Sequence, residues 1–191
     1  MTSLQFDPKS TALVLIDLQH GIVGRPLAPH SAADAIARAA QLAAALRAKG
    51  GTVAYVRVDA AQVLHLPVDA PTRDPSAPPP PAIASEIVSE SGYQPTDLLI
   101  TKRQWGAFYG TELDQQLRRR RIRTVVLGGV ATNFGVESTA RAAFDRGYEL
   151  IFVEDAMSSV SATAHEFAVQ NIFPRMGRVR KTEQVLEALA H

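Results

Sequence analysis

The stretch Thr124–Asn133, TVVLGGVATN, runs from apolar residues through a glycine pair to two residues suited to capping a helix. A short buried strand that turns sharply into a helix has this form. Gly128 and Gly129 allow a tight turn and close approach of a ligand, and the helix behind them would present free amides to negative charge. The spacing is neither a Walker loop nor a dinucleotide fingerprint. Thr132 or Asn133 can equally serve as the helix cap alone.

The same alternation recurs outward from this stretch. Upstream, TALVLID (11–17) is a buried strand ending at Asp17, and Ser31–Arg47 is an alanine-rich helix with apolar Ile36, Ala40, Leu42 and Leu46. Gly50-Gly51 stops that helix before the strand TVAYVRV (52–58); DLLI from Asp97 and a helix over Thr111–Arg120 follow. Downstream come a helix over Asn133–Arg146, the strand ELIFVED from Glu149, a helix over Ser161–Phe173, a short edge strand at Arg178–Arg180, and a helix from Thr182 to Ala190. Strands alternating with helices predict an α/β fold, a three-layer open and mainly parallel sheet with helices on both faces and Rossmann-like topology. Ligands of such sheets collect outside the carboxyl ends of the strands.

One segment breaks the alternation. Between Asp59 and Ile83 lie Pro67, Pro71, Pro75 and Pro78–Pro81, which lack amide donors and resist helix or central strand. It reads as a structured loop or flap within one domain spanning 1–191, its tip able to reach a partner subunit, because the part before it is too small to close a core alone.

Composition narrows the chemistry. The 191 residues are 46% hydrophobic, enough for one core, and 20 Lys+Arg against 19 Asp+Glu leave a net charge of +1. That balance gives no global field for nucleic acid or an anionic membrane, and the run Arg118–Arg121 with Arg123 reads as a solvated helix end or subunit contact. Met1–Ser10 has no secretory pattern and no later segment reaches a membrane-spanning length, so a cytoplasmic location is expected. Cysteine is absent, which removes disulfides, thiolate ligands and cysteine nucleophiles.

Three strand ends carry unusual residues: Asp17, Lys102, and the turn from Gly128 to Val136. An isolated aspartate there can simply cap a helix. A lysine beside it in a partly dry pocket would favour and orient the carboxylate and could also attract a substrate carboxylate or a developing oxyanion.

The motifs DLQHG (17–21), KRQWGAFYGT (102–111) and GGVATNFGVESTAR (128–141) resemble the isochorismatase-like hydrolases, and the likeness continues through EDAMSS (154–159) and the PR-x-x-RVR segment (174–180). Its strongest form is to an uncharacterised bacterial branch of that family. The resemblance implies that Asp17 and Lys102 hold two catalytic positions, that Gly135 falls where amide-hydrolysing members carry their nucleophilic cysteine, and that Val130-Ala131 is a cis peptide orienting nearby donors. It also implies Gln19, Arg103, Trp105, Phe108, Tyr109 and Asn133 as substrate-binding candidates. The aromatic residues suit either a pocket wall or ordinary core packing. Arg73 in the proline-rich loop is a further anion contact if that loop covers the pocket.

Without the cysteine, the resemblance turns from amide cleavage toward hydrolysis of a vinyl (enol) ether of a small carboxylated substrate, with Asp17 as acid and base and no cofactor. A noncatalytic ligand-binding or assembly protein on the same scaffold is the alternative. Nicotinamidase-type members bind metal through an aspartate and histidines near the second strand; here Asp59 precedes Ala60-Ala61 with only His65 nearby, and His20 and His165 have no ligand spacing, so no metal is expected. The family further implies a homo-oligomer.

Overall fold

In the computed structural model, which describes residues 4–74 and 76–190, the apolar runs become six strands in one sheet. They are β1 (Thr11–Ile16), β2 (Thr52–Val58), β3 (Leu98–Lys102), β4 (Thr124–Val130), β5 (Glu149–Ser158) and β6 (Arg178–Arg180). Their order is β3-β2-β1-β4-β5-β6, and every neighbouring pair is parallel. The order reverses between β1 and β4, the crevice where sheets of this type bind their ligands.

The helices are α1 (His20–Val23), α2 (Ala32–Ala48), α3 (Leu113–Arg119), α4 (Glu137–Asp145), α5 (Ala162–Phe167) and α6 (Thr182–Ala190). β1 is buried throughout, and its side chains alternate between two cores. Ala12, Val14 and Ile16 join Leu113 and Leu117 of α3 and Ala140 and Ala143 of α4, whereas Leu13 and Leu15 join Ile36, Leu42 and Leu46 of α2 and Val185 and Leu189 of α6. These two clusters make the three layers. The apolar run TALVLI is continuous rather than alternating because both of its faces are covered.

The predicted helix starts follow local capping. Ser31 Oγ accepts the Asp34 amide at 3.1 Å ahead of α2, and Ser161 Oγ accepts the Ala164 amide at 3.3 Å ahead of α5. Three boundaries differ from the sequence reading. β5 continues past Asp155 to Ser158, across a register break opposite Leu127–Gly129. The helix expected from Asn133 begins instead as a wide π-type turn over Thr132–Val136. The one expected over 161–173 changes to a π-type turn at Ala168–Ile172 and a 3-10 turn at Phe173–Arg175, where Pro174 cannot continue the ladder.

The proline-rich segment has no regular strand or α-helix among its described residues. Its base is fixed by the Asp59 amide on the Lys102 carbonyl at 2.9 Å and the Ala60 amide on Ser85 Oγ at 3.1 Å. Leu64, Leu66 and Val68 are exposed. Pro75 lies outside the described residues. No helix among the described residues is long and apolar enough to cross a membrane.

Candidate active site

Asp17 follows the last residue of β1 with a left-handed backbone, φ +52°, and its amide donates to the Val56 carbonyl at 2.8 Å. Left-handed residues other than glycine are uncommon, and aspartate is among the better tolerated. The turn aims a buried carboxylate across the sheet end toward Lys102, the last residue of β3.

Lys102 Nζ donates to Asp17 Oδ2 at 2.8 Å and to the Trp105 carbonyl at 2.9 Å. The lysine side chain is 2% exposed and the aspartate side chain 8%. An ammonium has three donors, so one is left after these two bonds. Asp17 Oδ1 is buried with no hydrogen-bond partner among the described residues. Burial raises the Asp17 pKa above its ordinary value, opposed by the charge and hydrogen bond of Lys102.

Gly135 comes to this pair from the π-type turn after β4. A Cβ built on it would stand 3.3 Å from Asp17 Oδ2, 3.3 Å from Lys102 Nζ and 3.0 Å from Ile16 Cγ2. Three segments far apart in the chain therefore meet at one point, with no side chain at the third. Gly129 has a different reason for being glycine. Its φ is +109°, and a Cβ would lie 2.1 Å from the Ile16 carbonyl oxygen, so only glycine lets β4 pass β1 there. The Val130–Ala131 peptide is cis, as is Ala28–Pro29.

The remaining candidates divide. Trp105 supplies its carbonyl to Lys102, while its half-exposed ring packs edge-on against Phe134 with centroids 4.9 Å apart. Phe134 was missed in the sequence although it lies within the turn motif; nothing local told its ring from a core aromatic. Asn133 Oδ1 accepts the Ser159 hydroxyl, binding the turn to the end of β5. Arg103 is exposed and donates to Gln62 Oε1 at 2.6 Å, which ties β3 to the proline-rich loop. Tyr109 is 76% exposed.

Gln19 and Arg73 do different work from that expected, and Phe108 takes the core-packing reading of its two. Gln19 is fully buried; its Nε2 donates to Val58 O at 3.0 Å and Ala84 O at 2.9 Å, and its Oε1 accepts the Val58 amide at 2.7 Å. Both donors of its amide are spent on crosslinking backbone. Phe108 belongs to the core on the α3–α4 side, near Tyr148. Arg73 donates to the carbonyls of Ala77 and Pro78, so its guanidinium is held within its own loop.

Beside the turn, Thr132 Oγ1 is 2.8 Å from His165 Nδ1, and His165 gathers with His30 and Glu154. Linear spacing gave no sign of this cluster, since its members come from three separate segments.

A family model described as Isochorismatase domain matches residues 11–184. The uncharacterized isochorismatase family protein YecD of Escherichia coli O157:H7 is 47% identical over 198 residues, covering 97% of this chain and 100% of that protein. YwoC of Bacillus subtilis strain 168, described in the same words, is 47% identical over 190 residues with 98% of each chain covered. Among solved structures, an isochorismatase family protein from Burkholderia thailandensis superposes with a TM-score of 0.92 at 43% identity over the whole of both chains.

Proposed function

The chain belongs to the isochorismatase family of hydrolases, and we propose that it hydrolyses a vinyl ether of a small carboxylated substrate using Asp17 as acid and base, without a covalent nucleophile. The observation that carries this reading is Gly135: the position facing both Asp17 and Lys102 has no side chain. A thiol attack on an amide carbonyl has no atom to start from there, whereas a water-based reaction needs only room beside the carboxyl.

The site supplies the parts of such a reaction. Asp17, raised in pKa by burial, carries a proton more readily than an exposed aspartate, and Oδ1 has no acceptor among the described residues to hold that proton back. Asp17 gives its proton to the terminal alkene carbon, and the ether-bearing carbon becomes an oxocarbenium ion. Water adds to that carbon and returns a proton to Asp17. The hemiketal then breaks its C–O bond to give a ketone and an alcohol, which balances the atoms with no redox partner. Lys102 orients Asp17 through Oδ2 and offers its third N–H to the substrate carboxylate, with the amides at Ala131–Asn133 as further donors. Of the other candidates, Trp105 positions Lys102, Asn133 holds the turn, and Arg103 and Tyr109 are exposed.

A turnover screen of small enol ethers and amides with wild type, Asp17→Asn and Lys102→Ala tests the reading. Enol-ether turnover lost in both folded variants supports it. Amide turnover by the wild type overturns it, and ligand binding with no turnover moves the assignment to a binding protein.

A further inference from the structure

His30, on the loop before α2, Glu154, on β5, and His165, on α5, each place one donor atom so that all three lie within 4.8 Å of one another. His30 Nε2 is 3.4 Å from Glu154 Oε1, and the two imidazoles meet edge to face with centroids 5.7 Å apart. Two ligands on one tetrahedral zinc, each bonded at about 2.0–2.1 Å, stand roughly 3.3 Å apart, so the first pair is already at that separation.

The tautomer of His165 follows from its neighbour. Thr132 has a single hydroxyl proton, and its Oγ1 donates to the Ser158 carbonyl at 3.1 Å. With that proton assigned to Ser158, the 2.8 Å contact is an Nδ1–H donated by the imidazole to Thr132, which leaves the lone pair on Nε2. Metal-binding histidines are held in this way, one nitrogen anchored by a neighbour and the other free. Burial, and next the neighbouring His30, push the His165 pKa below its ordinary value. His30 is fixed as well, its carbonyl accepting the Ser158 hydroxyl at 2.6 Å.

We propose that His30, Glu154 and His165 form a binding site for a divalent transition metal of the zinc type, separate from Asp17 and Lys102. Two imidazoles and one carboxylate are a donor set for such ions, and three protein ligands leave a position open. His30 and Glu154 side chains are 24% and 22% exposed, which gives an ion a way in. Through Thr132 the metal would brace the turn that carries Gly135 against β5 and α5.

The test is a zinc chloride titration of tag-free, chelator-treated full-length protein, followed by calorimetry and by thermal melting. Wild type should take up one equivalent saturably, and zinc should raise its melting temperature. His30→Gln and Glu154→Gln, both at partly exposed positions, should each weaken binding at least ~10-fold while keeping the wild-type circular dichroism spectrum. His20→Gln and His65→Gln should bind as wild type does. Absence of saturable binding, or equal affinity in His30→Gln, Glu154→Gln and wild type, overturns the site.

Discussion

Each end of the sheet holds an ion pair, and the two are built differently. At the amino end, Arg47, at the close of α2, meets Asp97, just before β3, through Nε to Oδ1 at 3.0 Å and Nη2 to Oδ2 at 2.8 Å. Asp97 Oδ2 also accepts the Gln94 amide at 2.8 Å, so both carboxylate oxygens are bonded. At the carboxyl end, Lys102 bonds Asp17 through Oδ2, and Oδ1 is buried without a partner among the described residues. The first carboxylate is saturated, as buried polar groups in structural roles usually are. The second is also a buried side chain, 8% exposed against 4% for Asp97, yet has an oxygen to spare, on a backbone held in the left-handed region. An unsatisfied buried oxygen on a left-handed backbone agrees with the proposed catalytic role of Asp17.

The sharpest way to break this contrast is to make the same change at both ends. Asp17→Asn removes the acid and should lower kcat/KM for an enol ether by about 10²–10⁴-fold, the usual range for a general acid or base. Asp97→Asn should leave kcat/KM near wild type. Steady-state kinetics on both folded variants decide it; equal losses would erase the distinction.

A second effect, in stability, depends on pH. Removing one partner of a buried pair typically costs about 3–5 kcal/mol because a charge is left uncompensated. In Lys102→Ala that charge is the Asp17 carboxylate, whose pKa in the folded chain, already raised by burial, would rise further. A folded pKa above the unfolded one makes the contribution of Asp17 most favourable below the ordinary value of 3.8 and loses it as pH rises through the folded pKa. Urea unfolding should thus find the deficit of Lys102→Ala small at acidic pH and larger toward neutrality. A pH-independent deficit would mean that Asp17 is not the group left uncompensated.

Arg47→Ala should have a smaller effect, about 1–3 kcal/mol, the range for losing hydrogen bonds to a charged group, and turnover per folded molecule should not change. Denaturant midpoints measured beside kinetics separate the two readouts.

How much of this contrast could be read from the sequence depends on how local its parts are. The strands of the sheet are marked by apolar runs, and the helix starts at Ser31 and Ser161 by caps that act within three residues. Asp17 and Lys102 stand out because each ends such a run. The saturation of Asp97 and the spare oxygen of Asp17 are properties of neighbours brought together by the strand order, which no window along the chain contains. Gln19 looked like a pocket residue because it adjoins Asp17, but the fold spends its amide on the backbone of Val58 and Ala84. Phe108 likewise follows Lys102 closely in sequence, yet the turn directs it into the core. His30 and Glu154 are separated by 124 positions, so their meeting had no linear signature.

Gly135→Ala is the finest probe of the carboxyl end, because stability and turnover should move apart. Gly135 has no positive φ to defend, and alanine in a helical position gains up to about 1 kcal/mol over glycine. Against this, the new methyl would meet Ile16 Cγ2 at 3.0 Å and both members of the ion pair at 3.3 Å, closer than comfortable contact, so the Ile16 side chain must yield slightly. The two effects nearly cancel, and the melting temperature should change little. Turnover should fall, because the methyl occupies space beside Asp17 and Lys102 that water or substrate needs. If alanine were tolerated in both readouts, the water and substrate would have to approach Asp17 from a side away from the turn. The glycine would then record only the loss of an older side chain rather than room kept for a reaction.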